Sequence, residues 1–309
     1  MNRPATVPPP ALLWTLAVLI NVAWALVYPL SKELLTSFPP MGLACWRLAG
    51  AALLILPFMR MGDVAARMTA SDFRLLLTMG LVGCGLSIVL QFLATPLTLA
   101  SNISLIASFE TLFVLVLGHV LLRERIKARQ WTGTVLAFAG VGLLTFDPRT
   151  LSIGAPDQVG GNLLMMASAF CFAVCTLAAK PLRERWSSTV ITGIPFLAAA
   201  LVLVPGYAIS DPSGFMRALQ PRPEEWAVIA LVVASGAGCY FVWNWLLRYM
   251  SAGSLALSLH LQPVAGMLFS VWLLGEQITQ VAALGAVLVL GGVAISELSM
   301  RAQPRTAST

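Results

Sequence analysis

Charge is scarce in this chain. Only 10% of its 309 residues are Asp, Glu, Lys or Arg, where a soluble domain carries about 25%. A soluble fold of this length is excluded, because no protein core could hide so many uncharged positions. Histidine is scarcer still, with only His119 and His260. The catalytic signatures H-E-x-x-H and G-x-S-x-G are absent, and no aspartate falls inside an apolar stretch. An intramembrane enzyme would need such a nucleophile–base pair or metal set, so the expectation is a protein that is not an enzyme and uses no cofactor or metal. The five cysteines, Cys45, Cys84, Cys171, Cys175 and Cys239, all sit in apolar runs. Cys171 and Cys175 share a helical face but lack zinc-ligand partners. They read as small packing residues.

Apolar sequence fills what remains. The chain is 58% hydrophobic, with a mean hydropathy of +0.85. Crossing a bilayer core of about 30 Å takes about 20 apolar residues. Ten such stretches fit, at roughly 11–31, 41–59, 73–93, 98–122, 130–146, 159–179, 190–209, 225–247, 254–274 and 279–298. They are predicted as helices, since lipid leaves no partner for unpaired backbone groups. The spans leave no room for a soluble catalytic domain of even about 50 residues. The first run lacks a convincing cleavage site and reads as a retained span rather than a signal peptide.

The chain also repeats itself. Trp24 and Phe172, Lys32 and Lys180, and Pro57 and Pro205 each lie 148 residues apart. Further along the offset is 152, as in Glu124 and Glu276, Gly133 and Gly285, and Gly140 and Gly292. Five spans per copy is an odd number, so the second copy enters the membrane from the opposite side. The predicted fold is therefore an all-α membrane protein of ten transmembrane helices. It comprises two inverted-topology five-helix repeats, 1–150 and 151–300, followed by a polar tail, 301–309. Such repeats point to a secondary transporter working by alternating access.

Basic residues set the orientation. With the N-terminus cytoplasmic, 14 of the 19 Lys and Arg residues fall on the cytoplasmic side. Lys32, Arg149, Arg217 and Arg222 fall on the other, and Arg47 lies within a span. The positive-inside rule then places both termini in the cytoplasm. The formal net charge of +6 is met by anionic lipid rather than nucleic acid. The expected partners are the lipid bilayer and a small-molecule substrate, and a monomer is compatible with the sequence.

Two segments carry a family resemblance. Leu121–Phe146 reads LLRERIKARQWTGTVLAFAGVGLLTF, and Leu273–Leu298 reads LLGEQITQVAALGAVLVLGGVAISEL. With the repeat and the ten spans, they resemble the drug/metabolite transporter superfamily, EamA type. Within it the chain most resembles bacterial amino-acid exporters of the YddG type. The resemblance implies a basket of helices around a central cavity, with the fifth and tenth at the periphery. It also implies efflux of small metabolites across a bacterial inner membrane.

Polar groups in hydrocarbon usually face a cavity or one another. Asn21, Trp24 and Tyr28 share one face of the first span, as a cavity wall or as helix packing with an interfacial aromatic. Arg47 has two readings: a bidentate clamp on a substrate carboxylate, or snorkelling or pairing with an internal acid such as Glu110. In the fourth span Asn102 and Glu110 share a stripe, and Ser258 and Gln262 occupy the corresponding stripe of the ninth. Serines there also suit close helix packing. Tyr240, Trp243 and Asn244 form a mixed aromatic and amide face, with Gln91 the repeat counterpart of Trp243. Glu110 and His260 are candidates for coupling transport to protons. His260 also suits an interhelical hydrogen bond.

Pro29, Pro57, Pro205 and Pro263 sit where bending would help, and the glycines around Gly83 and Gly236 permit close packing or hinging. Glu124 and Glu276 precede helices and read as capping or hinge residues. The substrate expectation is a small zwitterion, amino acids first and aromatic ones included. The alternatives are efflux of lipophilic drugs or cations, and exchange of nucleotide-type metabolites; a phosphate would want more internal cations than Arg47 alone.

Overall fold

The computed structural model describes residues 8–59, 61–122, 128–145, 157–250, 255, 258–259 and 261–301. Glu124 and His260 lie outside them. Among the described residues the regular structure is helical throughout. Seven helices there are long and apolar enough to cross a membrane. Three shorter apolar helices occur at Trp131–Leu143, Leu261–Leu274 and Gln280–Gly292.

Helix α1 (Pro10–Leu34) starts with a proline in its first turn, where the missing N–H costs nothing. At 25 residues it spans about 37 Å, enough to cross the hydrocarbon with some tilt. It continues through Pro29 rather than breaking there. Helix α2 (Pro40–Ile55) ends in a 3-10 turn that contains Pro57, so Pro57 closes a helix instead of bending one. After the short α3 (Met61–Arg67) comes α4 (Ala70–Ala94). Its start is fixed by a capping box in which Thr69 Oγ1 accepts from the Asp72 N–H at 3.1 Å. Its middle, Met79–Leu86, winds as a π-helix around Gly80, Gly83 and Gly85.

The fourth span is two helices, α5 (Ala100–Ala107) and α6 (Phe109–Leu122), interrupted at Ser108. The Ser108 hydroxyl and backbone N–H both donate to the Leu105 carbonyl, at 2.6 and 3.2 Å, tightening the turn at the break. No proline signals this break. It is followed by α7 (Ala128–Thr145), α8 (Gln158–Ala179) and α9 (Ser188–Ser210), which carries Pro195 and Pro205 inside it. Between α9 and the next long helix lies α10 (Pro212–Ala218). The Trp46 indole N–H ties α10 to α2 by donating to the Ala218 carbonyl at 2.8 Å. Helix α11 (Pro223–Leu246) has its own π-helical segment at Ser235–Cys239. Helices α12 (Leu261–Leu274), which contains Pro263, and α13 (Gln280–Arg301) follow.

Close helix approach depends on small residues, as expected where lipid offers no hydrophobic drive between helices. Across α7 and α13 the contact is reciprocal. A side chain at Gly140 would lie 2.6 Å from the Gly285 carbonyl, and one at Gly292 would lie 2.4 Å from the Gly133 carbonyl. These four glycines are two pairs at the 152-residue offset. The residue numbering shows that the two helices run antiparallel there. Helix α4 meets α8 just as closely: a Cβ at Gly83 would fall 2.3 Å from Cys175 Cβ. Nearby, Ser87 and Ser168 exchange hydroxyl-to-carbonyl bonds of 2.9 and 2.8 Å. The outer surface is apolar, with Phe58, Leu201, Ile209 and Trp272 each at least 66% exposed. A soluble protein would not present that belt, and lipid solvates it.

Candidate functional site

A cavity of about 590 Å³ lies between the helices, within the size range of small-molecule sites. Its aromatic wall is built around Tyr240 on α11. The Trp24 ring on α1 meets Tyr240 edge-on at 5.2 Å, and Trp243 lies 5.9 Å from Trp24. Phe172 stacks on Tyr240 at 6.3 Å, and Phe196 packs against it at 5.7 Å. The Trp24 indole N–H donates to the Ser235 carbonyl at 3.3 Å, inside the π-helical segment of α11.

Arg47 and Glu110, of opposite sign, both line the cavity, and they do not pair. Arg47 is 3% exposed, and its Nε and Nη1 have no hydrogen-bond partner. Its guanidinium sits 5.8 Å from the centre of the Phe92 ring. Among the described residues no carboxylate lies within ion-pair distance of it. Glu110, in the first turn of α6 just past the break, instead accepts from the Thr176 hydroxyl at 2.7 Å. The pairing of Arg47 with Glu110, one of the readings of the sequence, is therefore not formed. At one end of the cavity stand Lys180 and Arg183. Burial lowers the Arg183 guanidinium pKa from its ordinary value, and Cys175 and Glu110 oppose that effect.

Among the residues singled out from sequence, Trp24, Tyr28, Arg47, Gln91 and Glu110 line the cavity, as do Tyr240, Trp243, Asn244, Gln262 and Pro263. Asn244 is oriented by donating to the Thr192 hydroxyl at 3.1 Å and the Tyr240 carbonyl at 3.0 Å. Asn21, Asn102 and Ser258 are buried but lie outside the lining. The Asn21 amide donates to Ser258 Oγ at 2.8 Å, and its carbonyl accepts from Gln262 Nε2 at 2.7 Å. That bond fixes Gln262 at the cavity edge. Asn102 packs near the Thr98–Asn162 hydrogen bond of 2.6 Å. His260 falls outside the described residues.

Sequence reasoning missed Phe172, Thr176 and Phe196. The repeat offset identifies two of these, since Phe172 corresponds to Trp24 and Thr176 to Tyr28. Matched positions recur around the lining: Trp24 with Phe172, Tyr28 with Thr176, Gln91 with Trp243, Glu110 with Gln262, and Thr111 with Pro263.

Glu276 sits away from the cavity, in the loop between α12 and α13. It accepts from the Ala100 and Ser101 N–H groups at 2.7 and 3.0 Å and from the Ser101 hydroxyl at 2.7 Å. It thus caps α5 rather than the helix that follows it in sequence. Lys32, at the end of α1, lies 3.4 Å from Glu276 and donates to the Thr98 carbonyl at 2.5 Å. Glu124 lies outside the described residues.

Long apolar helices, a lipid-facing surface and a polar-studded central cavity define a multi-pass membrane transporter. The chain belongs to the EamA-like transporter family, which matches it twice, at residues 12–146 and 159–298. It is 28% identical over 295 residues to a probable amino-acid metabolite efflux pump of Escherichia coli, covering 93% of this chain and 95% of that one. It is 27% identical over 279 residues to an uncharacterized transporter of Archaeoglobus fulgidus, covering 90% and 94%. A biotin transporter of Salmonella typhimurium is 25% identical over 265 residues, covering 83% and 84%. A solved structure titled only as the crystal structure of a protein shares the fold, with a TM-score of 0.62 at 20% identity over 94% of this chain and 96% of that one.

Proposed function

We propose that the protein exports small zwitterionic metabolites, amino acids above all and aromatic ones included, by alternating access. One observation carries this reading: Arg47 and Glu110 line one aromatic-walled cavity without pairing to each other. An α-amino acid brings a carboxylate for the first and an ammonium for the second. Its side chain fits against Trp24, Tyr240 and Trp243. Relatives named as amino-acid metabolite efflux pumps support the same substrate class.

The ten-helix architecture and the two inverted repeats, 1–150 and 151–300, are part of the proposal. The antiparallel, reciprocal glycine contact between α7 and α13 supports them, as do the matched lining positions. Both termini lie in the cytoplasm, on the argument of basic-residue bias, and the membrane is the bacterial inner membrane. Glu110 is the first candidate for a coupling group, and His260 the second.

The test is export from cells. Cells expressing the protein are loaded with phenylalanine-containing dipeptides, and phenylalanine appearing in the medium is measured against an empty-vector strain. Faster appearance that Arg47→Gln abolishes is the expected result. Equal rates in both strains would contradict the reading. Extrusion of a lipophilic cation instead would favour drug efflux, which the aromatic wall and Glu110 would also serve.

A further inference from the structure

Arg47 poses the sharpest energetic problem on the cavity wall, because it is a permanent charge with no carboxylate within ion-pair distance among the described residues. A guanidinium does not deprotonate in proteins. Burying one without a partner is costly, yet only 3% of Arg47 is exposed and two of its nitrogens have no acceptor. The Phe92 ring against it offers a face but no charge. On the other side, the stem is held by α11: a Cβ at Gly236 would lie 3.3 Å from both Arg47 Cγ and the Arg47 carbonyl. Gly236 belongs to the π-helical Ser235–Cys239 segment, so this close approach is built into the local sequence. The stem is thus packed against α11, and Arg47 lines the cavity with Nε and Nη1 unpartnered.

Glu110 differs. One of its oxygens already accepts from Thr176. Arg183 lines the same cavity, so with Arg47 two guanidinium groups face this one acid on the described wall. The local balance asks a ligand for negative charge more than for positive charge.

We infer that Arg47 is the specificity-determining anchor for a ligand carboxylate, and that the ligand's amino group is not required. The inference rests on the proposed small-metabolite reading and refines it. The substrate class becomes aromatic and bulky apolar monocarboxylates, of which amino acids are one part. The carboxylate takes the guanidinium fork, which offers parallel N–H donors in the geometry a carboxylate matches. The ring lies against Trp24, Tyr240 and Trp243. Amines and amides of the same shape leave the guanidinium unpaired and bind poorly.

The test uses the full chain in lipid nanodiscs. Radiolabelled L-phenylalanine is displaced by L-phenylalanine, 3-phenylpropanoate, L-phenylalaninamide and 2-phenylethylamine. Tryptophan fluorescence gives a direct reading of 3-phenylpropanoate binding. The acid is expected to compete within about 10-fold of L-phenylalanine, and the amide and amine about 10- to 100-fold more weakly. Arg47→Gln is expected to erase that difference between acid and amide. Arg47→Lys keeps the charge but loses the fork, and serves if the Gln variant does not fold; it is expected to retain part of the preference.

An amine that competes as well as the acid would overturn the inference. So would a folded Arg47→Gln with wild-type affinity for 3-phenylpropanoate. If labelled phenylalanine does not bind but 3-phenylpropanoate quenches fluorescence in an Arg47-dependent way, the amino-acid reading falls and the anchor stands. If neither binds, both fall.

Discussion

Glu276 and Lys32 meet at 3.4 Å, and their contact joins the end of the first helix to the loop before the last. The two contribute unequally. Lys32 is a quarter exposed, whereas Glu276 is 7% exposed and also accepts three hydrogen bonds at the start of α5. Such bonds to a charged acceptor are each worth about 1.5–3 kcal/mol, while a partly exposed ion pair is worth about 0–1 kcal/mol. Glu276→Gln is therefore expected to lower stability by about 1–3 kcal/mol, and Lys32→Met by less than about 1 kcal/mol. Thermal melting in detergent ranks them, and a larger loss for Lys32→Met would contradict the assignment of Glu276 as a cap.

The glycine contacts between α7 and α13 give a second prediction. Gly140 and Gly292 each face a backbone carbonyl of the partner helix at a distance no side chain tolerates. Backbone cannot move aside as a side-chain tip can. Gly140→Leu and Gly292→Leu are each expected to cost about 3 kcal/mol or more, at the upper end of overpacking penalties. Gly142, with open space around its Cβ position, is the control, and Gly142→Ala is expected to be nearly neutral. Comparable losses at all three positions, read by melting or by monodisperse yield, would contradict the reciprocal packing.

Much of the fold was legible because the membrane imposes it. Apolar length alone located the seven helices long enough to cross a membrane, and the repeat offset paired Trp24 with Phe172 and Gln91 with Trp243. The break at Ser108 was not legible. There the Ser108 hydroxyl bonds back to the Leu105 carbonyl, a choice many helical serines do not make. Periodicity put Asn21 on the face of Trp24 and Tyr28, but it could not tell which neighbouring helix would satisfy the amide. Ser258 and Gln262 do so, and Asn21 becomes a tie between helices rather than part of the cavity wall. Glu276, read from sequence as a capping or hinge residue beside the helix after it, instead accepts from the start of a helix 176 residues earlier. Arg47 stood out as an isolated charge, and only the packing reveals that it is left unpaired.

The loop after α9 supplies a pH prediction. Asp211 caps α10 by accepting from the Gly214 N–H at 2.9 Å and the Ser213 hydroxyl at 2.8 Å. The Gly214 backbone bond, and then the Ser213 hydroxyl, hold its carboxyl pKa below the usual carboxylate value. A depressed folded pKa contributes stability above the unfolded value of about 3.9, and that contribution is lost as pH falls through the folded value. The wild type is thus expected to lose more stability than Asp211→Asn between pH 6 and pH 3, read by thermal melting at each pH. Equal losses would contradict the cap.

Thr176 and Glu110 share a hydrogen bond of 2.7 Å inside the cavity. If the free Glu110 oxygen meets the substrate ammonium, Glu110→Gln weakens binding of phenylalanine about 10-fold and leaves 3-phenylpropanoate nearly unchanged. Thr176→Val, which removes the donor but keeps the shape, is expected to alter both by less than about 5-fold. Displacement binding checks both, and equal weakening of acid and amino acid by Glu110→Gln would contradict the ammonium role.

Counterflow in proteoliposomes tests the transport claim most directly. Purified protein is reconstituted with unlabelled phenylalanine, threonine, AMP or a lipophilic cation inside, and uptake of each tracer is followed. Saturable accumulation of phenylalanine driven by internal phenylalanine, absent with AMP and abolished by Arg47→Gln, is the expected result. Exchange of AMP or the cation in its place, with no amino-acid flux, would contradict the proposed substrate while leaving the fold and family unchanged.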